Sequence, residues 1–160
     1  MKELTARMAD AGLTDVKSYI ASGNVVFRAT GKEQALEQRI EALVEASFGF
    51  RPAVFVLAPE KLDAVIANNP FRNAEHQGKA QHVFFLAAPA THVDRALLDS
   101  LKVGEEAYAL TDDALYLYAP NGVGGSKLAE KIGRAVKASM TARNLNTVLE
   151  LQRMVTALPP

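Results

Sequence analysis

Leu4, Met8 and Ala11 recur at helical spacing and Gly12 follows them, a pattern that predicts a short amphipathic helix closed by a left-handed glycine. From Asp15 to Phe27 the period changes. Val16, Tyr19 and Ile20 precede the polar break Ser22-Gly23-Asn24, and Val25-Val26-Phe27 follows it, which predicts two strands about a turn or bulge. Thr30 and Glu33 have capping-box spacing, and Leu36, Ile40, Leu43, Val44 and Phe48 make one apolar stripe that ends at Gly49, so a longer helix is expected there. Ala53 to Ala58 is a compact β-favouring run and reads as a strand.

Pro59 suits the first turn of a helix carrying Leu62, Val65 and Ile66, and Asn68-Asn69-Pro70 stops it. After a polar stretch, His82 to Ala87 reads as a strand. Thr91 is placed to cap a helix with Val93, Leu97 and Leu101 inward. Ala107 to Leu110 and Ala114 to Ala119 flank Thr111-Asp112-Asp113 as a hairpin. Ser126 to Met140 predicts a helix with Leu128, Ile132, Ala135 and Val136 on one side, followed by the Thr141 to Thr147 run and a closing helix around Val148 to Val155.

The second series of elements begins a βαββαβ ferredoxin-like unit, and the first third is the same unit without its opening strand. The expected fold is therefore α+β with tandem ferredoxin-like halves. They are placed at residues 1–58 and 81–160, with a helical connector at 59–80. The duplication rests on element order alone, with no sequence repeat.

Composition narrows the function classes. Eighteen Lys and Arg balance eighteen Asp and Glu, so no global field steers the chain toward nucleic acid or an anionic membrane. The absence of cysteine removes disulfides, thiolate nucleophiles and Cys-type zinc sites, and the opening Met1-Lys2-Glu3-Leu4 is no signal segment. A cytoplasmic protein is expected. The longest apolar runs fall far short of the roughly 20 residues of a membrane-spanning helix.

The best chemical candidate is Asn121-Gly122-Val123-Gly124-Gly125-Ser126-Lys127, between a strand and a helix. Gly122, Gly124 and Gly125 let backbone N–H groups approach an anion, and a helix beginning near Ser126 adds partial positive charge. Lys127, Lys131 and Arg134 share one helical face and would complement phosphate. The loop has neither Walker A order nor Rossmann spacing. Its structural alternative is a flexible connection capped by Ser126 beside a solvated basic face. Arg143 and Asn144, in the run that follows, could hold a carboxylate or phosphate, while Asn146 or Thr147 is placed to cap the closing helix.

Other candidates favour structural roles. Ser22 has no nucleophile elbow or paired base. His76, His82 and His92 lack metal-ligand spacing, so no metal site is expected. Glu33, Glu37, Glu41 and Glu45 recur every four residues, the spacing of a solvated helix face. Tyr116 and Tyr118 share a strand face and could stack bases, but the basic and aromatic pattern of RNA-recognition modules is missing, so nucleic acid is not favoured.

Several runs together carry a family resemblance. They are Gly12-Leu13-Thr14-Asp15-Val16 with Tyr19 to Phe27, Asn69-Pro70-Phe71, His82 to Leu86, Pro120-Asn121-Gly122 with Ser126-Lys127-Leu128, and Thr141 to Val148. With them the chain resembles the bacterial domain of unknown function 1697 family over nearly its whole length. The resemblance implies a tandem ferredoxin-like fold and no established activity. Members usually open with an extra strand ending in an Arg-Gly-Ile-Asn-Val-Gly-Gly-like segment. Here that strand is expected to be missing, with Met1 internal to the pattern and neighbouring strands left with unpaired backbone groups.

The functional expectation is a binder of an anionic or phosphate-bearing small ligand at the glycine loop. The alternatives are an enzyme acting at the junction of the halves, a nucleic-acid binder and a protein–protein module. Substrate, reaction, cofactor and oligomeric state are not legible.

Overall fold

The computed structural model describes residues 1–74 and 78–160. Among them are six helices and two antiparallel sheets. In chain order the elements are α1 (Lys2–Asp10), β1 (Thr14–Tyr19), β2 (Asn24–Arg28), α2 (Glu33–Phe48), α3 (Pro59–Ala67), β3 (Gln81–Leu86), α4 (Arg95–Leu101), β4 (Ala107–Leu110), β5 (Ala114–Tyr118), α5 (Lys127–Ala135), β6 (Met140–Asn144) and α6 (Leu145–Thr156). No helix among the described residues is long and apolar enough to cross a membrane. The chain divides into two compact units, one formed by Met1–Asp63 with Glu150–Pro160 and the other by Ala64–Leu149.

In the first unit β1 and β2 form an antiparallel hairpin. Met8, Leu13, Leu36, Ile40 and Val44 make its buried cluster, with Val54 and Val56 packed against it. Gly49 ends α2 in the left-handed conformation (φ 79°), as its place after the apolar stripe predicts.

Two expectations fail here for one reason. Thr30 makes no capping box, since α2 begins at Glu33 with Lys32 at its N-cap and no side-chain cap bond. Ala53 to Ala58 pairs with no strand among the described residues. Instead the amides of Ala58, Val56 and Val54 donate to the carboxylates of Glu33, Glu37 and Glu41, at 2.7, 2.9 and 3.4 Å. The spacings match because four helical residues rise about 6 Å and two extended residues about 6.6 Å. The Glu stripe is therefore a side-chain ladder that takes the place of a neighbouring strand, and the solvated-face reading of Glu33, Glu37 and Glu41 is corrected. Arg51 ties the end of the ladder, pairing with Glu41 at 3.2 Å and Glu45 at 2.9 Å.

The second unit runs β3-α4-β4-β5-α5-β6, and its sheet has the strand order β4-β5-β3-β6, antiparallel throughout. Leu98, Leu115, Leu117, Leu128, Ile132 and Val136 are central to its core beneath α4 and α5. On the other face Tyr116 is buried, its hydroxyl donating to the carbonyl of Val65 at 2.7 Å. Thr111 closes the β4–β5 hairpin, its Oγ1 accepting from the amide of Ala114 at 3.1 Å.

Helix limits and caps differ from the periodicity reading. Asp94, not Thr91, caps α4 by accepting from the Leu97 amide at 2.9 Å. Thr91 and Val93 serve another purpose: they meet the segment after α5, with the Thr91 amide donating to the Lys137 carbonyl and Val93 bridging Val136. That pairing draws the chain extended and stops α5 at Ala135, short of Met140. Met140 and the first residues of the Thr141 to Thr147 run then build β6, a strand that the sequence pattern does not predict. Asn144, not Asn146 or Thr147, then caps α6, its Oδ1 accepting from the Thr147 amide at 2.9 Å.

Candidate functional site

The loop between β5 and α5 is shaped by its turn residues. The Gly122 amide donates to the Ala119 carbonyl, and Gly122 takes a left-handed φ of 90°, which a side chain would strain. Ser126 is buried and caps α5, its Oγ accepting from the Ala129 amide at 3.1 Å. The first helical amides beyond it, at Lys127 and Leu128, have no carbonyl four residues back within the helix.

An open pocket of about 610 Å³ lies against this loop. Gly124, Gly125, Ser126 and Lys127 form one wall, while His82 and Phe84 of β3 with Ala142 of β6 form another. Gly124 and Gly125 have open space where a Cβ would sit. The remaining lining includes Glu130, whose carboxylate accepts from Lys131 Nζ at 2.8 Å. That hydrogen bond, helped by the charges of Lys131 and Lys127, holds the Glu130 pKa below its usual value.

By its sequence pattern His82 is an ordinary strand residue, yet it lines the pocket. Burial lowers its pKa from the ordinary histidine range, so the ring is held neutral near neutral pH. Its signal is visible only in register: His82 and Phe84 share a face of β3, and Ala142 is the partner of Phe84 across the β3–β6 ladder.

The same register separates residues that the sequence groups together. Arg143 is the partner of Val83, so it stands on the opposite face of the sheet from Ala142, Phe84 and the loop pocket. Its guanidinium donates to Thr141 Oγ1 at 2.9 Å and to the Ala142 carbonyl at 2.7 Å, and burial lowers its pKa. Asn144 is occupied as the α6 cap. Asn121 is exposed outside the lining, Lys131 is paired to Glu130, and Arg134 sits in the last turn of α5. The pocket thus gathers Gly124, Gly125, Ser126 and Lys127 with His82, and its lining leaves out Asn121, Gly122, Lys131, Arg134, Arg143 and Asn144.

The other candidates resolve structurally. Ser22 Oγ accepts from Asn24 Nδ2 at 2.9 Å, inside the β1–β2 turn. Tyr116 is buried, and Tyr118 stacks on Phe71 with ring centroids 5.8 Å apart, so the pair offers no open platform for bases. His76 lies outside the described residues.

Residues 1–116 match the model of a family described as protein of unknown function (DUF1697). The chain belongs to this family. The matched stretch ends before the glycine loop, so family membership and the candidate pocket rest on different residues. A similar solved structure is that of the conserved bacterial protein SP0830 from Streptococcus pneumoniae. The two are 21% identical, with a TM-score of 0.69 over 97% of this chain and 88% of that one, a likeness of fold alone. No curated protein matches the chain.

Proposed function

We propose that the second unit binds an anionic, phosphate-bearing small ligand at the start of α5. The observation that carries this reading is the pocket itself, where two glycines without steric cover, the first amides of a helix and Lys127 line one wall. Helix N-termini attract anions through unpaired N–H groups and the helix dipole, and an ammonium group adds charge-assisted contacts. Glu130 would repel an anion, but its carboxylate is paired with Lys131. Arg134 and Lys131 add positive charge along the helix without lining the pocket. A cytoplasmic setting is part of the same proposal.

The architectural reading proposed with it is a pair of ferredoxin-like halves joined by the connector at 59–80. The second unit supports it with the order β3-α4-β4-β5-α5-β6 and the sheet order β4-β5-β3-β6. The first supports it with a hairpin, a helix and the Ala53–Ala58 run, which pairs with no strand among the described residues.

Phosphate titration followed by amide NMR tests the binding reading. Shifts confined to residues 122–129 at millimolar phosphate are expected, weakening as salt rises. Lys127→Ala should weaken binding by about fivefold to tenfold. Arg143→Ala, on the far face of the sheet, should leave it unchanged. No binding in the parent at millimolar phosphate, or equal binding with Lys127→Ala, would return the loop to a structural connection.

A further inference from the structure

Within the pocket one polar group has no structural explanation. His82 Nδ1 is buried and meets no hydrogen-bond partner among the described residues. The ring nevertheless lines the pocket, so its open edge is the one bearing Nε2. A buried N–H without an acceptor is costlier and rarer than an unfilled acceptor. The proton of the neutral ring therefore belongs on Nε2, where it points at whatever occupies the pocket. Among the described residues the cross-strand neighbours leave this assignment unchanged: they are Leu117 on β5 and Asn144 on β6, and Asn144 Oδ1 already accepts from the Thr147 amide. The charged groups lining the same pocket are Lys127 and Glu130 of α5.

The walls differ in chemistry. The loop side is suited to an anion, while Phe84, Val123, Ala129 and Ala142 are apolar, with His82 as a donor among them. Free phosphate would use the first wall only. We infer that His82 is the specificity-determining donor of this pocket. It selects a phosphomonoester whose organic part lies on the Phe84 and Ala142 wall and offers an acceptor oxygen to Nε2–H. This rests on the reading of the loop as an anion site, and deepens it by naming the ligand class.

The test separates the two. In the ligand-free protein, long-range ¹H–¹⁵N spectra, with His82 assigned by its loss in His82→Phe, should show the Nε2–H tautomer at neutral pH. An Nδ1–H tautomer or an imidazolium would overturn the inference whatever binds. Next, the parent, His82→Phe and His82→Gln, each checked for folding by circular dichroism, are titrated with inorganic phosphate and with ribose 5-phosphate. The sugar phosphate should bind the parent more tightly. His82→Phe should lose about fivefold to tenfold of its affinity for ribose 5-phosphate, the worth of one hydrogen bond. His82→Gln, which keeps a donor, should lose less, and affinity for inorganic phosphate should stay level in all three. Level ribose 5-phosphate affinity in the parent and His82→Phe would overturn the role of His82 and leave the anion site standing. A parent that binds neither probe would overturn the anion site, and the ligand class with it, even with the expected tautomer.

Discussion

Two apolar runs of this chain, Ala53-Val54-Phe55-Val56-Leu57-Ala58 and His82-Val83-Phe84-Phe85-Leu86-Ala87, differ only at their first and fourth positions. They have nearly the same β propensity and very different structures. The second lies inside a sheet, bonded to β5 on one side and β6 on the other. The first bonds to no strand among the described residues, and alternate amides go to the carboxylates of α2. Strand propensity measures fit to a pleated, half-buried surface, so it takes effect only where neighbouring strands supply that surface. Where they do not, the amides still need acceptors, and a helix with Glu at four-residue spacing provides them.

The largest expected contrast comes from matching aromatic truncations. Phe85 is 4% exposed in the sheet, and Phe85→Ala should cost about 3–5 kcal/mol in chemical denaturation. Phe55 is half-buried, and Phe55→Ala should cost less than about 2 kcal/mol. Equal losses would show that the two runs are equally integrated, and the comparison would collapse.

A smaller effect addresses the ladder. Glu37→Ala removes the acceptor of the Val56 amide and should destabilise the first unit by about 1–3 kcal/mol. Faster hydrogen exchange at Val56 should accompany it. Glu37→Gln keeps an acceptor oxygen and should lose less. If Val56 exchanges equally in all three proteins, the carboxylates are ornaments of the surface and not a substitute strand.

The smallest effect separates the runs by pH, because only the second begins with a titratable residue. Burial places the folded-state pKa of His82 below its unfolded value of about 6.5. The unfolded chain therefore binds the proton more readily. The stability contributed by the neutral ring is fully present above about pH 6.5 and is lost as pH falls through the lower folded value. His82→Phe should flatten that part of the stability profile, as measured by denaturant midpoints from pH 7.5 downward. An unchanged profile would mean that His82 titrates as it does in the unfolded chain.

Much of the secondary structure was legible because it depends on local chemistry. The α2 stripe ending at Gly49, the β4–β5 hairpin around Thr111, and the cap at Ser126 all follow from side chains within a few residues of one another. The glycine loop and Lys127 were likewise visible as a candidate, since glycine and helix-start signals are local. What sequence periodicity could not supply was pairing. Thr91 to Val93 and Val136 to Lys137 are distant in the chain, yet their contact accompanies the end of α5 at Ala135 and an extended chain ahead of β6.

That late strand decided which residues line the candidate pocket. Side chains alternate across a strand, so the β3–β6 register alone put Ala142 on the pocket side with His82 and sent Arg143 to the other face. From composition and spacing, Arg143 was the stronger anion ligand and His82 an ordinary strand residue. The sequence by itself determined which segments could be helix, strand or turn, because those preferences act over one or two turns of chain. Only the tertiary structure decided which strands found partners, which carboxylates became acceptors and which side of the sheet each polar residue faces, because all three depend on neighbours remote in sequence.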